Sequence, residues 1–304
     1  MQVVYRVIIN TESSEGGILV NKEDLIQLAA SFVENSADNI ISKPIALSES
    51  VEGMKIFEPP LIAFGAAEDE GFKSLQDPSV IGKHFMLPRE WLPGAKTVIS
   101  FFLPFTAAVK KGNRRDMSWP SEEWLHGRIE GQAFINELCQ HLQSALIDAG
   151  YNSLVPCLDE RFWAKTGFAN AAPYAENESE ALAFTSTWSE RHVAFVCGLG
   201  TFGLSKGLIT KKGVAGRFGS VVTELSLSPN SRDYKEVYEF CDVCGTCGKN
   251  CPVNAISIEH GKDHVICSNF LDETAEKYKP RYGCGKCQVK VPCENGIPKK
   301  SHVS

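Results

Sequence analysis

The sequence predicts an α+β domain over residues 1–230, followed by a small cysteine-rich module over residues 231–304. Three observations carry this. Eight of the eleven cysteines lie between Cys241 and Cys293. Pro229, Asn230 and Ser231 mark a boundary shortly before them. Upstream, apolar runs of strand length alternate with a few helical stripes. A chain of 304 residues with 43% hydrophobic content is long enough to bury a sizeable core beside such a module.

The upstream elements follow in order. Val3–Ile9 is β-branched and apolar, which predicts a strand. Asn21 with Asp24 reads as a capping box, and Leu25, Leu28, Ala29, Phe32 and Val33 recur behind it at helical spacing. Leu61–Phe64 is a short apolar run. Thr97–Leu103 is a continuous one stopped by Pro104, as expected of a strand buried on both faces. Residues 106–121 read as a polar, solvated loop carrying Lys110, Lys111, Arg114 and Arg115. Ser121 is a helix N-cap. Phe134, Ile135, Leu138, Leu142, Ala145, Leu146 and Ala149 form the stripe behind it, and Gly150 closes the helix. Val193–Val196 is expected to be a strand, and Leu208–Thr210 is expected to pair with Ser220–Leu227 as a hairpin.

The formal net charge of -6 gives no support for a general nucleic-acid or membrane surface. Met1–Asn10 lacks the regions of a signal peptide, and no apolar run has the length of a membrane span. A soluble, cytoplasmic protein is expected. There, thiols are free or metal-bound rather than paired as disulfides.

Cys241, Cys244, Cys247 and Cys251, followed by Pro252, form Cys-x2-Cys-x2-Cys-x3-Cys-Pro. Three thiolates at this spacing wrap one iron–sulfur core, and the fourth ligates a second. Zinc sites instead present pairs of cysteines separated by a spacer. The downstream group is Cys267, Cys284, Cys287 and Cys293. One cluster is therefore assigned to Cys241, Cys244, Cys247 and Cys293, the other to Cys251, Cys267, Cys284 and Cys287. The second group departs from the first: Cys267 lies seventeen residues before Cys284, and Pro292 precedes Cys293 instead of following it. Cys139, Cys157 and Cys197 read as small buried hydrophobes. Two clusters pass single electrons, and the large domain must hold their acceptor.

Gly198-Leu-Gly-Thr-Phe-Gly203 matches G-x-G-x-x-G. A dinucleotide site also needs a long helix directly afterwards, and Gly207 and Gly213 interrupt it here. The glycines instead let the main chain lie flat against a large cofactor or another strand.

At this point a family resemblance emerges. The segments Leu92–Pro104, Gly198–Gly203, Gly207–Thr210, Gly213–Arg217 and Thr223–Leu225, then the double cysteine group, occur in that order. That order resembles epoxyqueuosine reductase and the cobalamin-dependent reductive dehalogenases, from about residue 60 to residue 298. The resemblance implies a nitroreductase-like corrinoid-binding domain followed by a ferredoxin-like domain with two [4Fe–4S] clusters. It implies a cobalamin bound base-off, with Gly198, Leu199, Gly200, Gly203, Leu208, Ile209, Thr210 and Arg217 as the binding residues. The chain contains no Asp-x-His-x-x-Gly, the signature of a histidine-ligated corrinoid. Glu123 and His126 stand near the place of the family's proton donor, although the local match is poor, and Glu122 and Glu123 also simply suit a helix N-terminus.

The implied activity is reduction of a small or nucleoside-like substrate, with electrons from an external low-potential donor such as ferredoxin or flavodoxin. The named enzymes often add a C-terminal repeat domain that helps hold tRNA, or a twin-arginine signal; here Arg114-Arg115 is internal. A relative with its own substrate is expected, with tRNA left open and a homodimer implied by the fold. Two alternatives remain: an electron-transfer protein that docks and reactivates a corrinoid protein, and a reductase with FMN in the same pocket.

Overall fold

A computed structural model describes residues 20–166 and 184–299. The strand expected over Val3–Ile9 lies outside the described residues. The first helix, α1 (Lys22–Asn35), starts at the expected capping box. The Asn21 side chain accepts from the Asp24 N–H at 3.0 Å, and Asp24 Oδ2 accepts from the Asn21 N–H at 3.1 Å. Asn39 then ties this helix to the segment before the sheet. Its Nδ2 donates to the Val33 and Phe57 carbonyls at 2.8 and 3.0 Å, and its Oδ1 accepts from the Phe57 N–H at 2.9 Å. Asn39 is fully buried, so Asn39→Ala leaves three main-chain groups without partners. It should cost about 2–4 kcal/mol. A urea midpoint equal to wild type would show that the clip carries no weight.

The chain continues through β1 (Leu61–Ala66), β2 (Thr97–Pro104), α2 (Ala107–Asn113), α3 (Glu122–Asp148), β3 (Ser153–Leu154), β4 (Ala164–Thr166), β5 (Phe184–Ser186), α4 (Glu190–Cys197), β6 (Gly200–Phe202), β7 (Leu208–Thr210) and β8 (Gly216–Thr223). Four strands form one antiparallel sheet in the order β1–β2–β8–β3. Every residue of β2 is buried. Alternate side chains explain why its sequence is apolar throughout. Ile99, Phe101 and Leu103 pack with Phe134, Leu138 and Leu142 of α3, while Val98 and Phe102 pack with Trp188, Val193 and Ala194 on the other face. Each such side chain contributes about 1.5–3 kcal/mol through burial. The structure is thus mixed α and β, with one sheet covered by α3 on one face and α4 on the other.

Three expectations are corrected. Residues 190–197 form a helix, not a strand: Val193, Ala194, Val196 and Cys197 are buried at helical spacing, and Gly198 ends the helix in the left-handed region at φ 97°. β7 pairs with β6, whereas Ser220–Thr223 belongs to β8 in the main sheet. Residues 107–113 are the helix α2, capped by Thr106. Its basic residues are not simply solvated: Lys110 Nζ donates to Asn295 Oδ1 at 2.7 Å, Arg114 pairs with Glu294, and Arg115 pairs with Glu123 at 2.5 Å.

The cysteine module contains β9 (Ile256–Ser257), β10 (Gly261–Lys262) and α5 (His264–Tyr278). It is fastened to the sheet domain by polar contacts at its cysteine loops. Lys286, fully buried, donates from Nζ to the Asn113 carbonyl at 2.8 Å and to Asn113 Oδ1 at 2.7 Å. Asn113 Nδ2 donates to the Cys284 carbonyl at 2.9 Å, and the Val214 N–H to the Cys293 carbonyl at 2.9 Å. Arg128 Nη2 donates to the Tyr282 hydroxyl at 2.6 Å, and Arg281 pairs with Glu130.

Candidate functional site

The two cysteine groups repeat one local device. Cys244-Gly245-Thr246-Cys247 and Cys284-Gly285-Lys286-Cys287 each place glycine in the left-handed region, at φ 71° and 67°, and each runs into a single helical turn. Glycine adopts this conformation without a side-chain penalty, and the turn swings the two flanking thiols towards one side. Val243 is also left-handed at φ 53°, an uncommon state for a β-branched residue. It lies directly between Cys241 and Cys244, where the chain wraps most tightly.

These loops sort the eight thiols into two sets. Cys241, Cys244, Cys247 and Cys293 line one small pocket together with Gly203, Leu204 and Ile209. Cys251, Cys267, Cys284 and Cys287 line a second, much larger cavity. Among the described residues no group of three His, Cys, Asp or Glu side chains could hold a single metal ion. A cubane spreads its four thiolates over separate irons and uses a wider arrangement. Burial, with neighbouring thiols adding to it, pushes the Cys247 and Cys293 thiols up to about 12. Burial likewise pushes Cys284 up to about 12. Thiols crowded like this resist ionisation alone, and a bound metal cation is the kind of charge that would offset it. The Ala255 N–H already donates to Cys251 Sγ at 3.2 Å, an outer bond of the kind that tunes a bound cluster.

The large cavity encloses about 650 Å³ between the sheet domain and the cysteine module. Part of its lining is cationic: Arg128, Arg191, Arg217 and Lys262 share it with the second cysteine set. Burial, with the like charges of Arg128 and Arg191 adding to it, lowers the Arg217 guanidinium to about 9. Arg217 keeps one contact, from Nη2 to Gln132 Oε1, and its buried Nε has no hydrogen-bond partner. The lining also includes Glu190, Cys157 and Cys139 with Trp188, Phe162 and Val155.

The sequence-selected residues divide between these places. Of the eight proposed to hold the corrinoid, Arg217 lines the large cavity. Gly200 and Leu208–Thr210 build the β6–β7 hairpin, where a Cβ on Gly200 would sit 2.0 Å from the Ile209 carbonyl oxygen. Gly200 therefore serves close approach to another strand. Gly203 and Ile209 line the pocket of the first cysteine set, and Gly198 and Leu199 form the exit of α4. Glu123 and His126 are not part of the cavity lining. Glu123 is buried against Arg115. His126 is fully buried, its Nε2 accepting from the Leu47 N–H at 3.1 Å while Nδ1 faces Glu130 Oε2 at 3.0 Å. Both make internal contacts, and the second carboxylate oxygen of Glu123, Oε2, is buried without a hydrogen-bond partner. Arg128, Arg191 and Glu190 were missed because their signal is tertiary; only the start of a helix at Ser189-Glu190 was available to the sequence.

A comparison with models of known protein families finds no match. Among solved structures, an epoxyqueuosine reductase bound to a tRNA-Tyr stem loop carrying epoxyqueuosine superposes with a TM-score of 0.50 at 18% identity, covering 91% of this chain and 66% of that one. The chain has the epoxyqueuosine reductase fold. In sequence it is 42% identical over 85 residues to a tetrachloroethene reductive dehalogenase of Dehalobacter restrictus (strain DSM 9455 / PER-K23), and 42% identical over 114 residues to one of Desulfitobacterium hafniense. Those stretches are 28% and 34% of this chain, but only 15% and 20% of the dehalogenases. Within the epoxyqueuosine reductase fold described here, no helix among the described residues is long and apolar enough to cross a membrane.

Proposed function

We propose that this chain is an iron–sulfur oxidoreductase that delivers single electrons to a ligand bound in the large cavity. The observation that supports this most is the shared wall: Cys251, Cys267, Cys284 and Cys287 line the same space as Arg217, Arg128 and Glu190. In this reading residues 231–304 are the electron-transfer domain. Cys241, Cys244, Cys247 and Cys293 would hold one [4Fe–4S] cluster, and the cavity-facing set would hold the other. Bound clusters supply low-potential one-electron transfer. The proteins it resembles, a reductase of epoxyqueuosine and reductive dehalogenases, support reductive chemistry on a small or nucleoside-like substrate.

The cavity would take a base-off corrinoid, whose low-valent metal would supply the reducing chemistry when bound. The chain's own residues have three tasks. The Arg128, Arg191 and Arg217 guanidiniums would hold anionic or amide groups of the occupant. Phe105, Trp124 and Trp188 keep water from its flank. The loops carrying Cys284 and Cys287 fix the distance to the electron source. FMN is the second reading, favoured by the same guanidinium cluster, which suits a phosphate, and by a volume inside the usual 300–1,000 Å³ range for ligand sites. Electrons would come from a ferredoxin or flavodoxin.

The test is anaerobic reconstitution with iron and sulfide, offered hydroxocobalamin or FMN in separate portions, followed by desalting. Retained corrinoid bands that bleach with titanium(III) citrate are expected. Retained flavin alone would replace the corrinoid reading, and protein without iron would sink the proposal as a whole.

A further inference from the structure

The two cysteine loops share a shape but not a charge. Cys244-Gly245-Thr246-Cys247 carries a neutral hydroxyl, whose Oγ1 accepts from Cys244 Sγ at 3.3 Å. Cys284-Gly285-Lys286-Cys287 carries a lysine at the same place, and that lysine is fully buried. Its Nζ donates to the Asn113 carbonyl at 2.8 Å and to Asn113 Oδ1 at 2.7 Å. Both acceptors are neutral. Asp116, an acid that attracts it, stays exposed, and its Oδ1 accepts from the Ser118 N–H at 2.7 Å. The same Asn113 donates from Nδ2 to the Cys284 carbonyl at 2.9 Å, so one side chain ties the ammonium to the loop that carries two thiols. A buried ammonium among neutral partners is costly unless an anion offsets it. A bound cluster is such an anion, because its four thiolates outweigh the charge of its iron and sulfide core.

We propose that Lys286 makes the cavity-facing cluster the easier of the two to reduce, so that electrons arriving on the Cys244 side run inward to the cavity. This rests on the reading above that the two cysteine sets hold clusters. Reduction adds one more negative charge to a group that is already anionic. A fixed cation beside it therefore stabilises the reduced form more than the oxidised one, and local charge is among the features that set such potentials. The surroundings let that charge act. Gly285 lies so close to Trp124 that a Cβ would sit 1.9 Å from Cζ2, which keeps water from that side of the loop. Away from water a charge is screened little. Arg191 and Lys262 line the same cavity but keep contact with solvent, which weakens their share. Glu190 is the acid on the cavity lining, and burial raises its carboxyl towards the neutral form. The first set has the opposite bias. Among the described residues its pocket lining carries one side chain other than a thiol that can hold charge, the acid Asp242. Asp242 Oδ1 accepts from the Cys244 N–H at 3.4 Å, and Cys244 itself is exposed.

The step moves one electron and no atoms. The electron leaves the site of Cys241, Cys244, Cys247 and Cys293, which is oxidised, and enters that of Cys251, Cys267, Cys284 and Cys287, which is reduced. No bond forms or breaks. The external low-potential donor refills the first site. Lys286 is a positioning charge in this step rather than a reactant: it acts through the cluster beside it on the direction of flow.

The experiment is a potentiometric titration of wild type, Lys286→Gln and Lys286→Arg, each reconstituted with iron and sulfide and read by electron paramagnetic resonance. Cys244→Ala protein identifies which spectral component belongs to the cavity side. In wild type that component should appear first as the potential is lowered. Glutamine keeps a donor for Asn113 and loses the charge. At the wild-type midpoint, the ratio of reduced to oxidised cavity-side cluster in Lys286→Gln should be about tenfold lower, a shift of about 59 mV. Its iron content and the other component should be unchanged. Lys286→Arg, which keeps the charge, should titrate close to wild type. A role confined to fastening the loop would lower the melting temperature of Lys286→Gln and leave the potential where it was. That outcome, or a wild type whose Cys244-side component is reduced first, would overturn the proposal while the cluster reading stands. Protein that takes up no iron would overturn the cluster reading itself, and the proposal with it.

Discussion

Cys244→Ala protein, reconstituted anaerobically, should bind about half the iron of wild type, which should itself carry about eight irons per chain. Cys244 is exposed, so its loss removes a ligand without opening a hole in the core. It shares its pocket with Cys241, Cys247 and Cys293, not with the set that faces the cavity. Cys284→Ala should remove the other half, and the two variants should lose different components of the reduced electron paramagnetic resonance spectrum. The functional consequences should differ as well. Without the first set, the cavity-facing cluster should still form but should no longer be reduced rapidly by ferredoxin. Without the second, ferredoxin should still reduce what remains, yet a cavity-bound corrinoid should stay oxidised. Iron that remains at the wild-type level in Cys244→Ala would mean that the ligands have been assigned incorrectly. Equal loss of both spectral components in either variant would mean that the eight thiols form one cooperative unit rather than two.

Gly285→Ala should be the most damaging small substitution in the cysteine module. Gly285 has φ 67°, and a Cβ there would sit 1.9 Å from Cζ2 of Trp124. Trp124 cannot move away cheaply. It is 4% exposed and packs edge-on against Phe105 at 4.9 Å between centroids. Left-handed strain and overpacking together should cost about 2–5 kcal/mol. Gly261→Ala is the control: it has the same sign of φ, at 71°, with nothing within 4 Å of the new Cβ. It should cost about 1–2 kcal/mol from backbone strain alone. Because residue 285 separates Cys284 from Cys287, the Gly285 variant should also lose cavity-side iron, while the Gly261 variant keeps it. Equal melting temperatures for the two variants would show that the Trp124 contact does not hold the loop.

Much of the fold was legible because its signals are local. The Asn21 capping box, the Ser121 cap and the stripe of α3 are set by neighbours three and four residues away, and the structure repeats them. β2 was legible for a different reason: an eight-residue strand covered on both faces must be apolar at every position. The stretch 190–197 was misread as a strand because a short apolar run fits either period, and the left-handed Gly198 that ends the helix has no unique sequence mark. The β6–β7 pairing was missed because a three-residue strand has too little sequence to set a register. Lys110 and Arg114 read as solvated because Asn295 and Glu294, their partners, lie some 180 positions along the chain.

The candidate site divides in the same way. Sequence by itself singled out the eight cysteines and proposed two sets, since the spacing of Cys241, Cys244, Cys247 and Cys251 is a local property of one loop, and the same two sets line two different pockets. Only the tertiary structure showed which residues share the cavity wall with Cys251, Cys267, Cys284 and Cys287. It left Glu123 and His126 outside the cavity lining, in contacts with Arg115, Leu47 and Glu130, and put Glu190 on it, where burial raises its carboxyl above the ordinary value. The physical reason is that a carboxyl's protonation follows from what surrounds it. The groups around Glu190 come from α3, the turn after β3, β8 and α4, four pieces of chain that only folding brings together.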